Sequence, residues 1–194
     1  MNFLAHAYLS FGDDEFIVGN LVADMIRGKQ MDAFPERIQA GIRLHRQIDA
    51  YTDSHPEVKR AKQIFTSSVG RYDNSFLDVS YDHFLALSAE LEPQEGWEVY
   101  AGKCYQAIER YGETLPPKFC SMFMYMKSED WLSNYGHLWM IERSFERLAR
   151  RAKYLPDAAN PFNDFQTHYE ELEESFSRFF PDLMSFVKGY APNT

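Results

Sequence analysis

An all-α fold, a single-domain helical bundle over residues 1–194, is predicted by three features of the sequence. Apolar residues recur at roughly 3.6-residue spacing through almost every segment. Prolines and glycines fall where helices would begin and end, as at Pro35, Pro56, Gly28 and Gly70. No stretch reads as a convincing strand, and there is no internal repeat or low-complexity tract. A chain of 194 residues is long enough to bury a substantial core as one unit.

In chain order, residues 2–10 read as a short amphipathic helix with Asn2 as N-cap. Gly12-Asp13-Asp14 makes a turn and a cap, and a helix from Glu15 to Arg27 carries Phe16, Ile17, Leu21, Met25 and Ile26 before Gly28 ends it. Pro35 opens a helix to about Thr52 with Ile38, Ile42 and Ile48 as its apolar stripe. Pro56 opens the next, which reaches Gly70. Ser75 to about Ala89 and Glu95–Tyr111 are helical, the latter stopped by Gly112 and Pro116-Pro117. Lys118–Lys127 is Met-rich and expected in the packed core. Ser128-Glu129-Asp130-Trp131 starts a short helix, Gly136–Tyr154 is another, and Phe162–Phe180 is long and amphipathic. Pro181 begins a last turn. The connector Leu155–Pro161 is too short to mark a domain boundary.

Composition excludes several function classes. No segment approaches the roughly 18 apolar residues of a membrane span. The N-terminal Met1-Asn2-Phe3-Leu4-Ala5-His6 lacks the basic and apolar regions of a signal peptide, so a cytoplasmic location is expected. Cys104 and Cys120 match no disulfide framework or zinc spacing. A formal charge of −9 argues against nucleic-acid binding, which needs a basic footprint. Charge is nevertheless uneven: Arg143, Arg147, Arg150, Arg151 and Lys153 share one stretch, while Glu170, Glu171, Glu173 and Glu174 crowd another.

Chemistry is carried by polar groups that interrupt apolar helices: His6, Asp24, His45, Asp49, Asp78, Asp82 and His83. His45 and Asp49 are four apart and stack on one helix face, about 6 Å apart between Cβ atoms. Arg46 lies beside them, and Arg27 lies three residues after Asp24. A lone His–Asp pair is more often a surface hydrogen bond than a ligand pair, Asp78 suits a helix N-terminus, and Asp24 alone could answer Arg27. Adjacent helical residues such as Asp82 and His83 point about 100° apart, so both reach one ion only across the edge of their face. Carboxylates and imidazoles without thiolates suit an octahedral site for Mn²⁺, Fe²⁺ or Mg²⁺ rather than structural zinc.

Nearly end to end, the sequence resembles the acyl carrier protein phosphodiesterase family, a divergent relative of the HD-domain phosphohydrolases. The matching pieces begin with Asn2-Phe3-Leu4-Ala5-His6, Gly19-Asn20-Leu21, Ala23-Asp24 and Arg27-Gly28. They continue through Gly41, His45-Arg46, Ile48-Asp49, Thr52-Asp53, Pro56-Glu57-Val58, Leu77-Asp78-Val79 and Asp82-His83-Phe84-Leu85. The last are Ser128-Glu129, Trp131-Leu132, Tyr135, His168-Tyr169, Leu172-Glu173, Phe176 and Pro181. The resemblance implies an HD-domain-like helical fold and a Mn²⁺-dependent hydrolase, with Fe²⁺ or Mg²⁺ as alternative ions. Its substrate would be holo-acyl carrier protein, from which it frees 4′-phosphopantetheine, with no nucleic-acid or membrane partner. The chain has no His-Asp dipeptide, only the inverted Asp82-His83, so the superfamily's ligand order does not transfer position by position.

On this reading the expected metal ligands are His6, Asp24, His45, Asp82 and His83. Asp49 serves as a further ligand or supports one, and Arg46 and Arg27 grip phosphate oxygens through the guanidinium fork. A negatively charged carrier protein and an acidic enzyme repel unless a basic patch faces the partner. Arg43, Arg46, Lys59 or Arg60 near the site is the first expectation for that patch, and the 143–153 stretch the second. Two other functions fit the same residues: hydrolysis of a nucleotide or other small phosphodiester, and a non-enzymatic helical binding module whose His/Asp groups form a buried polar network.

Overall fold

A computed structural model describes residues 1–191. It is all-helical, with no strand among the described residues. The α-helices are α1 (Phe3–Tyr8), α2 (Asp14–Val22), α3 (Glu36–Ser54), α4 (Pro56–Ala61), α5 (Gln63–Val69), α6 (Asp73–Leu87), α7 (Trp97–Arg110), α8 (Pro117–Ser128), α9 (Trp131–Asn134), α10 (Leu138–Arg151), α11 (Pro161–Thr167) and α12 (Tyr169–Val187). One continuous core joins them, and α6 runs through its middle against α1, α5, α10 and α12. The aromatic residues knit it: Phe65, Phe76 and Phe145 meet near-perpendicularly or stacked, and Phe84, Phe165 and Tyr169 form a second knot. No described helix is long and apolar enough to cross a membrane.

Four segments depart from the sequence expectation, each for a physical reason. The helix expected to reach Arg27 ends at Val22 and tightens into a 3₁₀ turn, Ala23–Met25, after which Ile26 and Arg27 are extended. The helix expected from Pro56 to Gly70 breaks at Lys62 into α4, which packs on α12, and α5, which packs on α11. The helix expected over 162–180 breaks at His168, because α11 lies against α5 and α10 while α12 lies against α4 and α6. Pro181, expected to open a new turn, lies inside α12 instead. There it removes one main-chain donor without ending the helix.

Helices α2 and α3 form the tightest pair in the molecule, and they set the site. A methyl group on Gly19 would run into the carbonyl oxygen of Ile38, and one on Gly41 would lie 2.6 Å from the carbonyl oxygen of Phe16. Two glycines facing each other therefore let the backbones touch. This approach brings the turn after α2, with Asp24, alongside the middle of α3, with His45.

Helix α1 has only six residues, too few to persist without tertiary help. Asn2 was expected to cap it, but its side chain donates to Tyr135 Oη at 2.9 Å instead. The cap comes from α6: Asp82 Oδ2 accepts from Leu4 N at 2.7 Å, and Oδ1 from Ala5 N at 3.2 Å and Asn2 N at 3.3 Å. A buried carboxylate from another helix thus satisfies the free Leu4 and Ala5 N–H groups of α1.

Candidate functional site

Where α1, the turn after α2 and the middle of α3 converge, four polar side chains meet. His6 and His45 stack with ring centroids 3.9 Å apart. Asp49 sits against both, with Oδ1 3.2 Å from His6 Nε2 and Oδ2 3.1 Å from His45 Nε2. Asp24 Oδ1 lies 3.1 Å from His45 Nε2. One donor atom each from His6, His45 and Asp49 falls within 4.8 Å of the others. The two histidines are buried, whereas the Asp24 side chain is 78% exposed, so the cluster opens to solvent on its side.

The proton inventory of His6 decides what this cluster wants. Asn20 is fully buried; its amide nitrogen donates to the His6 carbonyl at 2.9 Å and to Ser10 Oγ at 3.0 Å. Those bonds fix the amide's orientation, so Asn20 Oδ1 must accept from His6 Nδ1–H at 2.8 Å. Burial and the charge on His45 lower the His6 pKa to about 4, against an opposing pull from Asp49, which keeps the ring neutral near pH 7. A neutral ring protonated on Nδ1 carries its lone pair on Nε2, and that lone pair faces a carboxylate oxygen. Two acceptors at that separation call for a cation between them. With His45, two imidazole nitrogens and one carboxylate converge, and Asp24 stands 3.1 Å from His45 Nε2 at their edge, donors suited to Mn²⁺, Fe²⁺ or Mg²⁺. The residues present fit a divalent ion.

His45 behaves oppositely. Burial disfavours its charged form, but hydrogen bonds to Asp24 and Asp49 outweigh that and raise its pKa to about 9. Asp49 is held well below the usual carboxylate range because the bond from His45 outweighs its burial, and His45 also lowers Asp24. The sign for stability follows. A histidine with a folded pKa above its unfolded value contributes stability that is complete below about pH 6.5 and is lost as pH rises through about 9. In metal-free protein, the melting temperature is expected to fall more between pH 6.5 and 9 for the native chain than for His45→Gln. A second consequence is that an ion bound to His45 Nε2 would displace this proton. Calorimetric titration at pH 7.5 in two buffers of different ionisation enthalpy should show about one proton released per ion, and zero release would place the ion elsewhere.

Of the five expected metal ligands, the structure brings together His6, Asp24 and His45, joined by Asp49. It does not bring in Asp82 and His83. Asp82 spends both oxygens capping α1, and burial pushes its pKa to about 7 against the pull of the Leu4 and Ala5 amides. His83 Nδ1–H donates to the Tyr135 carbonyl at 2.8 Å, leaving Nε2 to accept from Tyr169 Oη at 2.9 Å. Both ring nitrogens are used, and burial lowers the pKa, so no lone pair remains for an ion. Asp82→Asn tests the distinction. It turns one acceptor into a donor against main-chain N–H groups and should cost about 2 kcal/mol. The fall in melting temperature should be the same with chelator as with Mn²⁺, whereas a ligand's loss would show only with the ion.

The two arginines expected at phosphate are both exposed. Arg46 reaches toward the Ile26 carbonyl at 3.4 Å, and Arg27 lies on the extended stretch after the Asp24 turn. Asp24 and Asp49 face the histidines, not these guanidiniums, and neither arginine joins an ion pair among the described residues. Two further groups belong to the neighbourhood: Asn20, given no role above, and Asp78, expected at a helix N-terminus but lying inside α6. Asn20 sets the His6 tautomer; its signal was an amide inside the apolar run Phe16–Val22. Asp78, on α6, pairs with the Met1 amino group at 2.9 Å, and that amino group lies 3.9 Å from Asp49 Oδ1.

Comparison with known proteins agrees with the sequence resemblance. A family model described as acyl carrier protein phosphodiesterase matches residues 1–183. Curated relatives bearing that name include one from Pectobacterium atrosepticum, 35% identical over 97% of this chain and 98% of its own length. Those of Enterobacter sp. strain 638 and Klebsiella pneumoniae strain 342 are 36% and 37% identical, each over 97% of this chain and 98% of the relative. No solved structure matches the chain. With matches at this level covering nearly its whole length, the chain belongs to the acyl carrier protein phosphodiesterase family.

Proposed function

We propose that this chain is a Mn²⁺-dependent phosphodiesterase that hydrolyses the link between 4′-phosphopantetheine and serine in holo-acyl carrier protein. The observation that supports it most directly is the lone pair of His6 Nε2 set against Asp49, with His45 completing a donor set for one divalent ion and Asp24 against His45. The relatives' shared name supports an acyl carrier protein as the substrate.

When bound, the ion supplies an acidified water and polarises the phosphoryl group. The chain's own groups do the rest. His6 is held by Asn20 in the tautomer that presents Nε2, so its lone pair needs no reorganisation. Asp49 bridges the two rings and fixes their spacing. Arg27 and Arg46, both exposed, offer bidentate donors to the oxygens of the phosphodiester. In the reaction, a water oxygen adds to phosphorus, the bond from phosphorus to the serine oxygen breaks, and that oxygen leaves with a proton. Products are apo-carrier protein and free 4′-phosphopantetheine.

The test is a product assay. Holo-acyl carrier protein incubated with the enzyme and Mn²⁺ should lose the mass of its prosthetic group, and 4′-phosphopantetheine should appear in equal amount. EDTA should stop this. Turnover of nucleotides with holo-protein untouched would favour a small-diester hydrolase. No turnover, with a melting temperature indifferent to Mn²⁺ and EDTA, would leave a binding module.

A further inference from the structure

The Met-rich stretch expected in the core does something else. Met126 is buried, but Met124 is 72% exposed and Tyr125 64% exposed. Beside them a groove of about 470 Å³ runs between α8, α9, α10 and the turn after α2. Met122, Tyr125 and Trp131 make its apolar wall, Lys118 and Arg151 its basic rim, and Met25 its end. Met25 follows Asp24 directly in the chain, so the groove reaches the turn that carries Asp24. Trp131 is held rigidly: its Nε1 donates to Glu129 at 2.9 Å, and the Arg147 guanidinium lies 4.9 Å over its ring.

The charge of this face runs against that of the molecule. A second notch shares Tyr125, Glu129 and Arg147 with the groove and extends it past Trp139 to Arg143 and Arg150. Across both, five cations (Lys118, Arg143, Arg147, Arg150 and Arg151) face three carboxylates, Glu129, Glu142 and Glu146, within a chain of net charge −9. Glu129 is consumed by Arg143, Arg147 and Trp131. Lys118 and Arg151 enter no ion pair among the described residues. In the other stretch expected to be basic, Arg60 pairs with Glu57 in a notch shared with Glu171 and Glu174.

We propose that this groove receives the pantetheine arm of an acidic carrier protein, whose acidic surface docks on the basic rim of α8 and α10. The inference rests on the phosphodiesterase reading above. The fit is chemical. A flexible arm of methylenes and amides suits a wall of methionine and aromatic side chains, adaptable yet apolar. A polyanionic protein meets local positive charge where the rest of the enzyme repels it. The groove's end at Met25 delivers the phosphate to Asp24, Arg27 and Arg46.

Lys118→Glu/Arg151→Glu tests this, since both side chains are exposed and α8 and α10 should keep their fold, as checked by melting temperature. The double variant should raise KM for holo-acyl carrier protein at least tenfold, with kcat within about twofold. Met122→Glu should weaken binding of holo-protein more than of apo-protein, which lacks the arm. Unchanged KM in the double variant overturns the assignment, as does a larger rise from Arg43→Glu. If the native enzyme releases no phosphopantetheine, the reading beneath fails separately. Calorimetric titration of holo-acyl carrier protein then judges the groove alone: binding lost in the double variant upholds it, whereas equal binding or no binding to the native chain overturns it.

Discussion

Replacing Asp49 by alanine is expected to reduce release of 4′-phosphopantetheine by more than about 100-fold, and to abolish the rise in melting temperature on adding Mn²⁺. The magnitude follows from position. Groups that merely support a metal ligand already cost 10–100-fold when removed, and Asp49 touches both histidines, at 3.2 and 3.1 Å. Its loss removes one donor, frees the two imidazoles from their common anchor, and takes away the charge that opposes the buried Met1 amino group at 3.9 Å. Two readouts are needed, because that last effect is structural. Melting in EDTA reports the cost of leaving that amine to Asp78 alone, while the Mn²⁺-induced shift reports ion binding. Turnover within tenfold of native, or a Mn²⁺-induced shift retained in full, would remove Asp49 from the site.

Gly19→Ala is expected to destabilise the fold by about 3 kcal/mol or more, lowering the melting temperature by roughly 6 °C or more. Alanine in a helix ordinarily gains about 0.5–1 kcal/mol over glycine. Here the new methyl meets the Ile38 carbonyl oxygen, main-chain density that cannot swing aside. Overpacking therefore wins over propensity. The two helices can relieve the clash only by separating, which also moves the Asp24 turn from His45. Activity should consequently fall further than stability does, and Gly41→Ala should behave alike, with its Cβ 2.6 Å from the Phe16 carbonyl oxygen. Gly102→Ala, where a Cβ meets nothing within 4 Å, is the control and should melt at or slightly above the native temperature. A Gly19→Ala protein that melts with the native chain would mean the helices do not touch in solution.

Periodicity and punctuation alone carried the helical class, most helix positions, and the pairing of His45 with Asp49. Four residues on one helix necessarily bring two side chains to one face, and the structure places His45 Nε2 3.1 Å from Asp49 Oδ2. The resemblance to a family of known relatives was legible for the same reason: it lies in the linear order of residues. Breaks at Lys62 and His168 were not legible, because nothing local demands them. They occur where successive helices must lie against different partners. The Met-rich stretch misled for a related reason, since methionine serves equally in a core and on an adaptable surface.

Which polar residues share a site was decided only by tertiary structure. Asp82 and His83 look in the sequence like Asp24 and His45, a carboxylate and an imidazole amid apolar neighbours. What separates them is how many partners each already has. Three main-chain amides claim Asp82, and a carbonyl and a hydroxyl claim both nitrogens of His83. His6, by contrast, is held on one nitrogen and left open on the other, facing Asp49. Hydrogen-bond saturation depends on contacts from residues tens of positions away, which composition and spacing do not encode. The sequence thus determined the kinds of groups available for chemistry, and the packing of α1, α2, α3 and α6 determined which of them are free to perform it.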